Sequence, residues 1–117
     1  MEPALLVGLG GAIGAVLRYI VSGIAPRAGG IPSGTLLVNV IGSFVLSIMT
    51  FTTPQSSIIY LINIGMLGSF TTFSTFAYET FRLLEEGENR HFALNIILNV
   101  SLCITAIGVG YIVANYI

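Results

Sequence analysis

Five hydroxyl side chains, Ser69, Thr71, Thr72, Ser74 and Thr75, are crowded into seven residues and interleaved with Phe70 and Phe73, with Phe76 following directly. Hydroxyls donate hydrogen bonds and aromatic rings carry positive edges, so such a cluster could take an anion out of water without a fixed charge that would hold it too long. Phe73 and Phe76 are three apart and project from one helical face, with Ser74 and Thr75 beside them. Two plainer readings stand next to this one. The rings could simply pack, and the hydroxyls could bond back to carbonyls one turn earlier, as they commonly do in membrane helices.

The other polar residues are few, and each has two readings. Asn39, in "GTLLVNVIGSF", must find a partner between helices or meet water. Arg18 is either an anchor that snorkels to the interface or a cation that attracts anions into a vestibule. Glu79 is either a proton-coupling carboxylate or the partner of Arg82, three residues along the same helix; the spacing predicts the ion pair. His91, Asn95 and Asn99 recur every four residues and share a polar face, which lines a passage or seals a helix contact. His91 has no second ligand at metal spacing and reads as solvated. Cys103 is a single cysteine in an apolar run, which excludes a disulfide within the chain and reads as packing.

These residues need elements that work in lipid. The chain has 117 residues, is 55% hydrophobic and 8% charged, and contains no Lys, Asp or Trp, so it cannot cover a water-soluble surface. Its mean hydropathy of +0.96 and net charge of −1 place it in a membrane and exclude a basic face for nucleic acid. The acid in the opening "MEP" is unlike a secretory leader, so the first apolar segment is expected to stay. Apolar runs of roughly 20 residues, each enough for a bilayer core of about 30 Å, lie at about 4–24, 34–52, 57–84 and 91–114. They are separated by "APRAGGIPSG", "TTPQSS" and "EEGENR". With loops this short, the expectation is one all-helical domain over 1–117, because open sheets cannot span lipid.

The third run is too long. Its 28 residues would reach about 42 Å as a straight helix, and Gly65, Gly68, Thr71 and Thr72 mark where it would be interrupted, near 68–72. Non-helical backbone at that depth must be buried in protein or face water. At the N-terminus, "LLVGLGGAIGA" lacks the third glycine of a dinucleotide fingerprint, whereas Gly10 and Gly14 make a small-residue face for close helix contact.

Three stretches, "GGAIGAVLRY" (10–19), "GTLLVNVIGSF" (34–44) and "GSFTTFSTF" (68–76), resemble in content and order the signatures of the CrcB, or Fluc, fluoride channels. The resemblance covers residues 10 to about 82; the fourth span matches only in general character. It implies a passive, fluoride-selective channel in the plasma membrane that exports cytoplasmic fluoride and confers fluoride resistance. It further implies an antiparallel, dual-topology homodimer with two pores and a central sodium ion. On that resemblance Phe73, Phe76 and Asn39 face fluoride, Ser74 and Thr75 form a hydroxyl track, and Arg18 and Glu79 fall on the family's arginine and glutamate. The backbone carbonyls of Gly68 and Thr71 would hold the sodium.

Arg27, Arg82 and Arg90 fall on one side of a four-span chain, a bias that leaves pairing with an oppositely oriented homologue open beside the homodimer. The rival class is a small dual-topology, proton-coupled multidrug or cation exporter. That chemistry needs a buried carboxylate in the first helix, where this chain has only Glu2 at the entrance. An enzyme is not expected, since no nucleophile, base and orienting group occur together.

Overall fold

The computed structural model describes residues 2–24, 30–52 and 57–117. Most of the first two sequence-defined loops, with Arg27, lies outside the described residues. The described chain is all helical: α1 (Pro3–Ile24), α2 (Ser33–Thr52), a π-helix (Ile59–Leu67), the short α3 (Gly68–Phe70), α4 (Ser74–Glu85) and α5 (Asn89–Asn115). Pro3 opens α1 at a position where its missing N–H costs nothing. Gly87, at φ +76°, closes α4: Glu88 N–H donates to the Leu83 carbonyl and Gly87 N–H to that of Leu84. Four helical stretches, Pro3–Ile24, Ser33–Thr52, Ile59–Glu85 and Asn89–Asn115, are long and apolar enough to cross a membrane.

Helix contacts depend on missing side chains. A Cβ on Gly10 would stand 2.0 Å from the Leu61 carbonyl oxygen, and one on Gly14 2.0 Å from that of Met66. The small-residue face of α1 therefore seats the π-helix backbone directly, as its spacing predicts. On the other side α2 runs along α5. There Ser47 Oγ donates to the Ile107 carbonyl at 2.7 Å, and a Cβ on Gly110 would meet Ser47 at 2.8 Å.

Burial is inverted relative to a protein built for water. Among the described residues the interior holds the polar Thr35, Ser47, Thr72, Thr80, Asn95 and Asn99 beside the apolar Ile31, Val38, Leu67, Phe70, Leu83 and Ala106. Leucines, isoleucines and valines of α1 and α5 meanwhile face outward. Lipid solvates that exterior, and the polar groups turn inward to one another. The chain is a multi-pass membrane protein.

Candidate functional site

The site is built where the third span meets α2. α3 ends at Phe70, Thr71 is extended (φ −76°, ψ 156°), and α4 begins at Ser74. Thr71 and Thr72 are poor helix formers, and α2 supplies what their backbone lacks. Asn39 Nδ2 donates to the Thr72 carbonyl at 2.9 Å, and Thr72 N–H donates to Asn39 Oδ1 at 2.8 Å. The Asn39 amide thus stands in for a peptide group, satisfying both backbone groups of Thr72. One turn on, Gly42 makes room: a Cβ there would lie 2.2 Å from Thr71 Cγ2 and 3.3 Å from Phe70.

The five hydroxyls divide into two sets. Ser69 Oγ bonds the Gly11 and Met66 carbonyls (2.8 and 3.2 Å), and Thr71 Oγ1 bonds back to Leu67 at 3.1 Å. These two follow the plain structural reading. The other three form a cluster in which Thr72 Oγ1 accepts the Thr75 N–H at 3.1 Å, donates to Thr75 Oγ1 at 3.0 Å and lies 3.4 Å from Ser74 Oγ. Thr72 thereby caps the first turn of α4. The rings of Phe73 and Phe76 sit 5.7 Å apart at 54°, and Phe73 is 78% exposed on the single chain.

Glu79 departs from the sequence expectation. It receives a hydrogen bond from Thr35 Oγ1 at 2.5 Å, whereas Arg82 pairs with Glu86 at 3.4 Å and accepts no role toward Glu79 among the ion pairs of the described residues. Arg82 also donates to the Tyr78 hydroxyl at 3.0 Å. The Arg82 guanidinium thus finds acceptors at i−4 and i+4 on the outer face of α4, while Glu79 turns toward α2. Arg18 has no ion pair among the described residues and lines the same cavity as Glu79.

On α5 the polar face splits. His91 Nδ1, in the first turn of α5, lies 2.9 Å from Glu88 Oε2. Asn95, 1% exposed, donates to Thr80 Oγ1 at 2.8 Å and seals the α4–α5 contact. Asn99 donates to both oxygens of Asn95, the backbone one at 2.9 Å and Oδ1 at 3.1 Å. It also lines a cavity of about 340 Å³ together with Asn39, Phe73, Phe76 and Cys103.

Three cavities follow one another and share walls. An outer one of about 340 Å³, bordered by Arg82 and Glu86, shares Ser22, Thr35 and Glu79 with a middle one of about 530 Å³ that holds Arg18 and Thr75. The middle cavity shares Thr72 with the phenylalanine chamber. Of the expected site residues, Asn39, Phe73 and Phe76 meet in the phenylalanine chamber, and Arg18, Thr75 and Glu79 in the middle cavity. Gly68 and Ser74 line none of these three. Thr71 lines the phenylalanine chamber.

Sequence reasoning missed Thr35, Ser43 and Cys103 as lining residues, although the signal was present, whereas the passage-lining alternative given for the α5 face fits Asn99. Thr35, Asn39, Ser43 and Ser47 recur every four residues on α2, as do Asn95, Asn99 and Cys103 on α5. Two polar stripes on helices that pack against each other beside the third span are a lining pattern.

Fold and site together define a small helical membrane protein with a line of cavities between its helices, walled by polar and aromatic side chains. The family described as "CrcB-like protein, Camphor Resistance (CrcB)" matches residues 5–111. A relative from Methanosarcina barkeri named "Fluoride-specific ion channel FluC 1" is 57% identical over 96% of this chain and 97% of its own length. "Fluoride-specific ion channel FluC 3" of Methanosarcina acetivorans is 58% identical over 92% of this chain and 96% of its own length. A "Fluoride-specific ion channel FluC" from Methanococcus aeolicus is 46% identical over 97% and 96%. The chain belongs to the CrcB family.

Proposed function

We propose that the chain is a passive, fluoride-selective channel that lets cytoplasmic fluoride leave across the plasma membrane and so protects against fluoride toxicity. The observation that carries this reading is the chamber in which Asn39 and the Phe73–Phe76 ring pair meet, joined at Thr72 to the cavity holding Arg18. Its near full-length relatives carry the name fluoride-specific ion channel. Arg18, in the middle cavity, raises the local anion concentration there and has no ion pair among the described residues. The Thr75 hydroxyl, which accepts the Thr72 O–H and keeps its own hydrogen, then replaces a water ligand, with Ser74 beside it on the hydroxyl track. Asn39 Nδ2 has two hydrogens; one is held by the Thr72 carbonyl, and the second is available to an anion in the chamber. The ring edges of Phe73 and Phe76 complete the shell, and the lack of a fixed cation there lets the ion move on.

Hydrogen fluoride enters cells as a neutral acid and dissociates, leaving the anion trapped. An inside-negative potential then drives it out through a passive pathway, at about 2.3 kcal/mol per charge per 100 mV. The proton-coupled exporter is not favoured, because α1 has no acidic residue over Pro3–Ile24. In planar bilayers with fluoride on one side and chloride on the other, the reversal potential is expected to follow the fluoride gradient. A reversal potential near zero at equal concentrations would contradict the reading.

The assembly belongs to the same proposal. The third span is interrupted at 71–73, and two chains meet there antiparallel around a sodium ion. Two bonds that a continuous helix would make are diverted. Thr72 N–H, due to the Gly68 carbonyl, goes to Asn39, and Thr75 N–H, due to the Thr71 carbonyl, goes to Thr72 Oγ1. Carbonyls released from helical donors suit a hard cation that takes oxygen ligands, so the Gly68 and Thr71 carbonyls of two chains would hold the ion. When bound, sodium ties the two broken spans together.

Dual topology has its own test. With Cys103→Ser as background, Gln55→Cys in the second loop should react with an impermeant thiol reagent from both sides of the membrane. Reaction from one side only would favour the arrangement paired with an oppositely oriented homologue, or a parallel assembly.

A further inference from the structure

Asn95 is among the most deeply buried side chains of the described residues, with Leu83 and Val38, yet it lines none of the three cavities. A buried amide is tolerated where its polar atoms are paired, and here the pairings lead in two directions. Nδ2 donates to Thr80 Oγ1 on α4 at 2.8 Å, while Oδ1 and the backbone carbonyl receive the Asn99 amide at 3.1 and 2.9 Å. Thr80 stands one turn after Phe76 on α4, and Asn99 one turn after Asn95 on α5, so each pair shares a helix face. Phe76 and Asn99 both wall the phenylalanine chamber. The chain Thr80–Asn95–Asn99 therefore joins the helix that carries the Phe76 ring to the α5 wall of the same chamber. The buried residues of α4 are Thr80 and Leu83. Apolar contact at Leu83 is non-directional, whereas the Thr80–Asn95 bond has a preferred length and angle.

We propose that the Thr80–Asn95 hydrogen bond is the spacer that sets the separation of Phe76 from the α5 wall, and through it the discrimination of fluoride from chloride. Chloride carries the same charge on a larger, more weakly hydrated ion, so charge alone does not exclude it. Exclusion requires either a chamber too narrow for the larger ion or ligands held close enough to replace the tighter hydration shell of the smaller one. Both fail if α4 and α5 drift apart. Thr80 and Asn95 touch no ion in this scheme; they are positioning residues that act through Phe76 and Asn99. A plain helix seal would lose stability when broken and leave the preference between the two ions as it was. The discrimination rests on the proposed channel function; the hydrogen-bonded chain does not.

Parent and variants are compared in planar bilayers with fluoride on one side and chloride on the other, because a reversal potential reports the permeability ratio whatever fraction of the protein is active. Thr80→Val keeps the side chain's shape and removes its oxygen, and the fluoride-to-chloride permeability ratio is expected to fall roughly tenfold. Thr80→Ser keeps the oxygen and is expected to hold the parent's ratio. Thr80→Val also leaves Asn95 Nδ2 buried without its acceptor, so a second variant combines Thr80→Val with Asn95→Leu and makes both partners apolar. That variant is expected to unfold at a temperature nearer the parent's than Thr80→Val does, and still to show the lowered ratio. Where Thr80→Val yields no folded protein, the double variant decides. A parent-like ratio in Thr80→Val, or a ratio that recovers with thermal stability in the double variant, would overturn the spacer and leave a plain seal. So would a loss in Thr80→Ser equal to that in Thr80→Val. A parent with no preference for fluoride would overturn the channel reading and the spacer with it; a selective parent whose ratio ignores these substitutions would overturn the spacer alone.

Discussion

Replacing Phe73 or Phe76 by isoleucine is expected to cut fluoride flux by roughly thirtyfold while the protein still elutes as the parent does. Isoleucine keeps apolar volume, so a purely packing role predicts a stability loss of less than about 1.5 kcal/mol and little else. What isoleucine lacks is the positive ring edge. A desolvated cation over a ring face gains about 2 kcal/mol or more; a comparable gain for an anion at the ring edges would be, on a permeation barrier, roughly thirtyfold in rate. The control is Phe81, 57% exposed and absent from the walls of the phenylalanine chamber. Phe70 is a poor control, being 7% exposed and within reach of a Cβ on Gly42 at 3.3 Å, so its replacement would disturb packing. Parent-like flux in Phe73→Ile and Phe76→Ile, or equal damage in Phe81→Ile, would return the rings to packing.

Asn39→Asp is expected to be more damaging still. The aspartate keeps the oxygen that receives the Thr72 N–H, but it sets a second oxygen against the Thr72 carbonyl, where Asn39 Nδ2 now donates at 2.9 Å. It also removes the remaining N–H from the chamber. Losing a hydrogen bond to a charged partner costs about 1.5–3 kcal/mol, or roughly 10- to 100-fold in rate, before charge repulsion is counted. Because the same amide holds the span's non-helical backbone, the variant is also expected to unfold at lower temperature than the parent. Asn39→Leu separates the two effects: it removes the clamp without adding charge, and so should share the thermal loss while conducting better than Asn39→Asp. Undiminished flux in Asn39→Asp would show that fluoride does not pass this amide.

The four spans were legible because apolar length and Gly/Pro breakers are local signals. So was the α1 contact face, since Gly10 and Gly14 are four apart and a helix turns that spacing into a ridge-free surface. The π-helix was not legible: "IYLINIGML" is apolar but for Asn63 and carries no periodic signal, and the close seating of its Leu61 and Met66 carbonyls on Gly10 and Gly14 appears only in the fold. The partner of Glu79 was missed for a related reason. Arg82 is three residues away in sequence, but Thr35, 44 residues away, faces it across a helix contact that spacing does not encode. Asn39 was recognised as a mid-span amide that must find a partner, yet only tertiary structure pairs both its polar atoms with Thr72. The α5 stripe could have been read further, one turn on from Asn99 to Cys103, had it been set beside the matching stripe on α2.

The central claim is selective, passive fluoride conduction, and proteoliposome efflux followed with a fluoride electrode tests it most directly. Liposomes loaded with potassium fluoride should release it only when a potassium ionophore relieves the charge left behind, with no pH gradient imposed. Liposomes loaded with chloride should release almost none. Fluoride release that requires a proton gradient, or chloride release at the same rate, would contradict the account.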